Sequence, residues 1–323
     1  MKNKVLALLL CGAMALSLTG CTVTESGDTP SGSAPVDPPK QSEPAVPSPS
    51  ESTEASASVV APAALEAAGA LGDYSADIKD FVLAKDYNGK PAIVITYTFT
   101  NNSENATSAM VALVESAYQN GVQLDGAIVT DDKVYSSSNS MLEIKTGGSL
   151  DIQAAYTLTS DTAPVEFELS ELVSFSDEVL GKTFEIAAGG VTEFATIDVP
   201  ADAVTGKVGN FEISIISMTK AKDYEGKDCV TILYGFKNSG AETNSFALAC
   251  SDKAYQDSVQ LESAIVTDTT VSNALQTLTK VKPGAAILVT QSYLTTSTSD
   301  VEVEVAELFS FSNEKVERTF TMG

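Results

Sequence analysis

The side chains that could carry covalent or acid–base chemistry in this chain are serines, cysteines, lysines and carboxylates, because none of its 323 residues is histidine. A Ser–His or Cys–His nucleophilic pair is therefore excluded. A Ser–Lys pair stays open, although no S-x-x-K context stands out. The glycine pairs Gly147-Gly148 and Gly189-Gly190 lack the spacing of a phosphate-binding loop. We expect no catalytic residue.

Carboxylates occur in closely spaced pairs. Glu166 and Glu168 would share one face of a strand, as would Glu302 and Glu304. A glycosidase needs two carboxyls that face each other across a cleft, which spacing along one strand cannot establish. Calcium is a minor alternative at Asp131-Asp132, since no D-x-D-x-D-G loop is present. In so acidic a chain we interpret the pairs as solvated faces, and we expect no metal site and no cofactor.

Two cysteines, Cys229 and Cys250, fall in the part of the chain that is expected to fold. Two thiols without a histidine do not suit a zinc site, which usually has four such ligands. Two free thiols are favoured, and a disulfide between them is the alternative. Cys229 would point outward if its neighbour Val230 points into the core.

Cys21 ends the run Leu18-Thr19-Gly20-Cys21, which has the form of a bacterial lipobox. Before it stand two lysines and an apolar run of about 14 residues, shorter than the roughly 20 that a membrane span needs. We therefore predict that residues 1–20 are a lipoprotein signal peptide and that Cys21 is lipidated. The protein would then be held at the cell membrane, facing outward. A short membrane anchor and an ordinary cleaved signal are the alternatives.

The net charge of −24 limits the partners of the protein. So acidic a surface repels phosphate backbones and anionic headgroups. No nucleic acid is expected as a partner, and contact with the membrane must come from the N-terminal lipid. An unknown protein or envelope ligand is the remaining expectation.

The chain divides by composition and by repetition. Residues 21–71 are rich in proline and serine, which predicts a disordered linker, with a short alanine-rich helix at 59–71. After this linker the motif Asp86-Tyr87-Asn88-Gly89-Lys90 returns 137 positions later as Asp223-Tyr224-Glu225-Gly226-Lys227. We predict two copies of one domain, at 72–187 and 209–323, joined by an interdomain linker at 188–208.

Each copy has the alternation of β-strands. Ile93, Ile95, Tyr97 and Phe99 alternate with small or polar residues, which predicts one buried face. No long amphipathic helical stripe occurs. About seven strands in a copy, with turns every 8–12 residues, indicate an all-β fold of two tandem immunoglobulin-like β-sandwich domains after the disordered linker.

Three motifs of the repeat carry a resemblance to a known family. They are the D-Y-x-G-K turn, the strand end Tyr97-Thr98-Phe99-Thr100-Asn101-Asn102-Ser103, and Glu171-Leu172 with Phe175. These motifs resemble a tandem domain-of-unknown-function family of Gram-positive surface lipoproteins, similar to immunoprotective or telokin-like extracellular domains. The second copy departs from the pattern at Asn238-Ser239-Gly240. The resemblance implies the fold and a surface location, and it brings no catalytic residue.

A hairpin in each copy gives the candidate contact surface. A two-residue turn at Asn120-Gly121 would pair Tyr118 with Gln123, and both would point outward if Val122 points inward. Tyr255 and Gln260 repeat the arrangement in the second copy. An exposed tyrosine beside an amide is a plausible ligand contact. The alternative is a longer turn that shifts the register and buries Tyr118 in the core.

These observations favour a membrane-anchored bacterial surface lipoprotein whose two domains have a binding or structural role. The alternative is a solute-binding lipoprotein of a transporter, a class that usually has two α/β lobes. An envelope enzyme is the third and least favoured class.

Overall fold

The structure, a computed structural model, describes residues 65–173, 178–309 and 314–323. Within these ranges each repeat forms two four-stranded antiparallel sheets. The predicted all-β architecture of two tandem β-sandwich domains is thereby confirmed. The predictions for the signal peptide, Cys21, Phe175 and most of the N-terminal linker lie outside the described residues.

Domain 1 consists of eight strands and two short helices. The strands are β1 (Ala68–Leu71), β2 (Tyr74–Lys85), β3 (Pro91–Asn101), β4 (Leu113–Gln119), β5 (Val122–Gln123), β6 (Ser149–Thr157), β7 (Val165–Glu171) and β8 (Val179–Phe184). The helices are α1 (Ala109–Ala112) and a 3₁₀ helix at Ser137–Met141. One sheet has the order β1-β2-β3-β6 and the other the order β5-β4-β7-β8.

Domain 2 repeats this arrangement strand for strand. Its strands are β9 (Val204–Val208), β10 (Phe211–Lys222), β11 (Asp228–Asn238), β12 (Cys250–Gln256), β13 (Val259–Gln260), β14 (Ala286–Leu294), β15 (Val301–Glu307) and β16 (Lys315–Phe320). The helices are α2 (Phe246–Ala249) and a 3₁₀ helix at Ala274–Leu278. The sheet orders are β9-β10-β11-β14 and β13-β12-β15-β16.

The alternating residues of β3 and β11 form the centres of the two cores. Ile93, Ile95, Tyr97 and Phe99 of β3 are all fully buried between the sheets of domain 1. The equivalent residues of β11 are buried in the same way in domain 2. The strand register predicted from the period of two is therefore confirmed in both domains.

Both domains begin earlier than the repeats predicted. β1 lies within the predicted linker 21–71, and β9 lies within the predicted linker 188–208. Each adds a fourth strand to its sheet, and Leu71 and Val208 are fully buried in the cores. Pairing with β2 also makes Ala68–Leu71 a strand, so the helix predicted at 59–71 is wrong for these four residues.

The two cysteines of domain 2 are free and buried. Cys250 packs in the core, where burial raises the pKa of its thiol to about 12. Cys229 lies on the opposite face of β11 from the core residue Val230, as its strand parity predicted, but it is covered rather than exposed. The alternative of a disulfide between them is not realised.

Candidate functional site

The hairpin that carries the predicted contact surface has the predicted register. Tyr118 pairs with Gln123 across the β4–β5 hairpin, and Asn120 and Gly121 have φ angles of 52° and 77°. Positive φ at both turn residues is the signature of a type I′ turn. In domain 2 Tyr255 pairs with Gln260 in the same way. The alternative of a longer turn with a shifted register is therefore wrong.

Tyr118 is nevertheless buried, because domain 2 covers it. The Nζ atom of Lys282 lies 4.5 Å from the centroid of the Tyr118 ring. The same atom lies 2.5 Å from a carboxylate oxygen of Glu166 and 2.6 Å from one of Glu168. Tyr118, Glu166 and Glu168 project from the face of the β4–β7 sheet that is turned away from the core of domain 1. Tyr118 therefore points outward as predicted but is not exposed. The predicted ligand contact in domain 1 is instead a contact between the domains.

Backbone hydrogen bonds extend this contact along the edge of the sheet. The N–H of Gln123 donates to the carbonyl of Lys280 over 2.9 Å, and the N–H of Lys282 donates to the carbonyl of Gly121 over 2.8 Å. The half-buried side chain of Gln123 accepts from the N–H of Lys280 as well. The segment Lys280–Lys282 thus continues the outer sheet of domain 1 beyond β5.

The linker between the domains takes part in the same interface. The N–H of Ala195 donates to the carbonyl of Asn120, and the carbonyl of Ala195 accepts from the N–H of Ala286, both over 2.8 Å. Val122 at the tip of the hairpin packs against the core of domain 2. The linker and the hairpin together tie the two domains to each other.

Two carboxylates share a single lysine at this contact between the domains. Lys282, with 14% of its side chain exposed, faces both Glu166 and Glu168. Burial raises the pKa of Glu168 even though Lys282 donates a hydrogen bond to it. Burial also raises the pKa of the Tyr118 hydroxyl. Removing Lys282 would leave two neighbouring carboxylates in a partly dry site without a cation.

The second half of the predicted contact surface is more open. Gln260 is exposed, and Tyr255 is half-buried and donates a hydrogen bond to Glu304 over 2.9 Å. Lys315 lies 3.2 Å from the other oxygen of Glu304. Of the four predicted ligand contacts, the structure leaves only Tyr255 and Gln260 on an open surface.

Each domain also has one half-buried carboxylate that accepts a hydrogen bond from a core tyrosine. Tyr97 donates to Glu115 over 2.5 Å, and Tyr293 donates to Asp252. Burial raises the pKa of both carboxyls, and the tyrosine hydrogen bonds only partly offset it. Among the residues that the structure describes, neither carboxylate forms an ion pair with a lysine. Among the described residues no group of three or more potential metal ligands occurs.

Sequence reasoning missed an exposed apolar pair on the D-Y-x-G-K turn. Tyr87 and Ile128 are each 63% exposed and are joined by a hydrogen bond from the N–H of Tyr87 to the carbonyl of Ile128. Tyr224 and Ile265 form the same pair in domain 2 and are 62% and 58% exposed. The sequence contained the signal for this pair, because the tyrosine and the isoleucine both recur in the second copy. The D-Y-x-G-K motif was interpreted only as a marker of the repeat.

The turn beneath this pair is rigid. A carboxylate oxygen of Asp86 accepts from the N–H groups of Asn88 and Lys90, each over 2.8 Å. Asp223 accepts from the equivalent N–H groups in domain 2. The glycine of each motif has a φ above 80°, which a side chain would strain. The tyrosine is therefore presented on a fixed backbone.

The fold and these surfaces define a tandem β-sandwich protein with repeated surface features. The family model "Domain of unknown function (DUF5067)" matches the chain at residues 49–171 and 201–307, which together make up most of it. The chain belongs to this family. The match in two tandem segments confirms the resemblance to a tandem family of uncharacterised domains.

Comparison with solved structures finds weak similarities. One is a chain described as a "putative lipoprotein" from Staphylococcus aureus, with 16% identity and a TM-score of 0.29, covering 40% of this chain and 98% of its own. Another is the serine-rich repeat protein Srr2 from Streptococcus agalactiae, with 11% identity and a TM-score of 0.16, covering 76% and 93%. Among curated proteins no relative matches.

Proposed function

We propose that this protein is a bacterial surface lipoprotein, held at the membrane through lipid on Cys21, whose two domains bind a partner outside the cell. The lipobox form of Leu18–Cys21 supports the anchor. In the described part of the chain, no helix has the length and apolar character needed to cross a bilayer. The negative charge of −24 adds no attraction to anionic lipid, so the lipid would carry the attachment alone.

The binding role rests on one observation, the exposed tyrosine–isoleucine pair that recurs in both domains. Large apolar side chains at the surface are common singly, but a recurring aromatic and aliphatic pair on a rigid turn offers contact area at low entropic cost. We therefore propose that Tyr87 and Tyr224 contact the partner. A purely structural role is the second candidate, and the tight contact between the domains favours it.

The other classes of function find less support. A solute-binding lipoprotein usually encloses its ligand between two α/β lobes, whereas both domains here are β-sandwiches. An envelope enzyme that works through a histidine pair is excluded because the chain has no histidine, and no other pair with the context of a catalytic site stands out in the sequence. We propose a non-enzymatic protein.

The anchor is tested by replacing the cysteine of the lipobox. A Cys21→Ala chain should no longer incorporate a labelled fatty acid, because the acyl chains are attached at this residue. Cys11→Ala is the matched control, since it changes a cysteine within the apolar run, and it should stay labelled. Equal labelling of the Cys21→Ala chain and the unaltered chain would overturn the lipid anchor.

The binding surface is tested with residues 22–323 immobilised on beads and exposed to solubilised cell-envelope and host-surface fractions. Tyr87→Ala/Tyr224→Ala should lose the components that the unaltered chain retains. Met141→Ala/Leu278→Ala is the matched control, because these two exposed apolar residues also occupy equivalent positions in the two domains. Equal retention by the tyrosine variant and the unaltered chain would remove the tyrosine–isoleucine pair as the binding surface.

A further inference from the structure

Domain 1 has a surface that contacts Lys282 of domain 2. Domain 2 carries a second copy of this surface. The residues that form this surface are Tyr118, Val122, Gln123, Glu166 and Glu168 in domain 1, and their equivalents are Tyr255, Val259, Gln260, Glu302 and Glu304. All five residue types are retained. We call this set the acceptor face.

The strand that docks on the acceptor face is duplicated as well. Val281 and Lys282 of domain 2 correspond to Ile144 and Lys145 of domain 1. Ile144 forms a bridge with Thr107, as Val281 does with Asn244, so the strand is already in place in domain 1. Lys145 is exposed. We call the segments that contain Lys282 and Lys145 the lysine strands. Within one chain the acceptor face of domain 1 contacts the Lys282 strand, while the acceptor face of domain 2 and the Lys145 strand do not contact each other.

The acceptor face of domain 2 is open to a partner in shape. Val259, whose equivalent Val122 packs on the core of the neighbouring domain, is 63% exposed on an edge strand. Glu302 makes no ion pair with any described residue. A cleft of about 480 Å³ lies over this sheet, lined by Tyr255, Glu302 and Glu304 among others. An uncovered apolar edge strand of this kind invites pairing with another chain.

Two lysines distinguish this face from its equivalent in domain 1. Lys253 lies opposite Glu304 in the strand register, where domain 1 has Ser116 opposite Glu168. Lys315 lies 3.2 Å from Glu304, and its equivalent in domain 1 is Val179. Glu304 thus has cations from its own domain, whereas its equivalent Glu168 receives the lysine of the neighbouring domain.

We propose that Lys253 and Lys315 block the acceptor face of domain 2, and that without them this face binds the Lys145 strand of a second copy of the chain. The occupant follows from the contact inside the chain, because the Lys282 strand already docks on the equivalent face. An incoming lysine would meet two ammonium groups, and this like-charge contact disfavours docking. A head-to-tail contact of this kind uses a different surface on each copy, so it gives open chains of molecules, or rings where the rotation closes. The two lysines thus keep this face from receiving a further domain of the same kind, as a polar outer face does in the capping units of repeat proteins.

The experiment opens the face by giving domain 2 the residues of domain 1. Residues 22–323, which retain both cores, are prepared unaltered and as Lys253→Ser/Lys315→Val, and association is measured by sedimentation equilibrium. The unaltered chain should stay monomeric. The variant should associate with concentration, at least tenfold more tightly than any association of the unaltered chain. Thermal unfolding confirms that each variant is folded, since both lysines are exposed by about two-fifths of their side chains.

A charge-matched control separates the site from the change in net charge. Lys222→Ser/Lys227→Val removes two exposed lysines of the same domain and should leave the chain monomeric. Both double variants make the chain more acidic, which by itself increases repulsion between copies. Association of the first variant alone therefore reports on the acceptor face.

Two further changes in the opened variant test the occupant. Adding Lys145→Glu reverses the charge of the lysine that would dock. Adding Val259→Asp places a carboxylate on the edge strand of the acceptor face. Each should abolish association alone, and a mixture of the two should form one-to-one dimers, because one intact contact remains between them. An opened variant that stays monomeric, an unaltered chain that associates as strongly, or association that survives Lys145→Glu would each overturn the proposal.

Discussion

Two tyrosines at equivalent positions in the cores differ in what their hydroxyl groups meet. The hydroxyl of Tyr97 donates to Glu115. The hydroxyl of Tyr234 is fully buried and makes no hydrogen bond, while the neighbouring Tyr293 donates to Asp252. Identical tyrosines at matched positions of the repeat thus have different hydrogen-bond surroundings, with glutamate at position 115 and aspartate at the equivalent position 252.

The difference predicts unequal effects of removing one oxygen atom from each tyrosine. Tyr97→Phe should destabilise the protein by about 1–3 kcal/mol, because it leaves the buried Glu115 without its donor. Tyr234→Phe should change stability by less than about 0.5 kcal/mol, because its hydroxyl satisfies no partner. Denaturant unfolding of the two variants checks this. An equal loss in both would show that the two hydroxyl groups are equivalently bonded.

The buried carboxyl of Glu115 predicts a pH dependence of stability. Burial raises its pKa in the folded protein above the ordinary value of 4.5, so the folded state is penalised as the carboxyl ionises. The stability associated with this group is therefore full below pH 4.5 and is lost as the pH rises through the raised pKa.

Glu115→Gln should remove this loss. Relative to the unaltered protein, the variant should gain stability as the pH rises above 4.5 through the raised pKa of Glu115, because the amide can accept the Tyr97 hydrogen bond without ionising. Glu104→Gln, at an exposed position, is the control and should show no such trend. A difference between Glu115→Gln and the unaltered protein that stays constant with pH would contradict the assignment.

At the scale of elements, the β4–β5 hairpin was predictable in its pairing but not in its surroundings. The Asn120-Gly121 dipeptide specifies a two-residue turn, and the turn fixes which residues face each other. Alternation then indicates that Tyr118 points away from the core of domain 1. No local pattern can indicate that another domain covers that face, because the contact joins residues more than 150 positions apart, such as Gln123 and Lys280.

The strands β1 and β9 were missed for a different reason. The sequence of β1 is Ala-Gly-Ala-Leu, with small residues that have little preference for a strand. It becomes a strand because β2 offers an edge and because Leu71 fills the core. Tertiary pairing decides such segments, so their boundaries could not be read from repetition or propensity.

The hairpin turn allows backbone strain to be separated from crowding at the interface. Gly121→Ala should cost about 1 kcal/mol for its positive φ and about 1–3 kcal/mol more for crowding. The added Cβ would lie 2.7 Å from the Phe194 ring and 2.8 Å from Ala285.

Gly89→Ala is the matched control, because Gly89 has a similar positive φ and no atom within 4 Å of the added Cβ. It should lose only the first amount, about 1 kcal/mol. Unfolding free energies of the two variants give the comparison. Equal losses would mean that the linker does not press on the turn.

At the scale of the whole molecule, two lysines at equivalent positions of the two repeats have different environments. Lys282 is buried between the domains, whereas its equivalent Lys145 is exposed. The sequence alone does not distinguish them, because each follows a β-branched residue at the same place in its repeat. Which lysine docks on the acceptor face of domain 1 depends on the order of the domains along the chain, since Lys282 belongs to the domain that follows and Lys145 to domain 1 itself.

Lys282→Met should therefore uncouple the domains. We expect a loss of about 1–3 kcal/mol, less than for a fully buried ion pair, because Glu166 is more than one-third exposed to water. Calorimetry should resolve two unfolding transitions in this variant where the unaltered protein shows one. Lys145→Met should melt like the unaltered protein. A single unchanged transition in Lys282→Met would show that the linker and hairpin alone couple the domains.

The β-bulges of β2 and β10 fall at the same place in the register, between Ile78 and Asp80 in one domain and between Ile215 and Ser217 in the other. A strand of one domain therefore has a register that also suits the equivalent sheet of the other, the situation in which repeat proteins are prone to misassembly. Differences in side-chain volume at matched core positions, such as Leu113 and Cys250, would make exchanged strands fit poorly. Divergence between the copies would thus disfavour the exchange of strands between the domains.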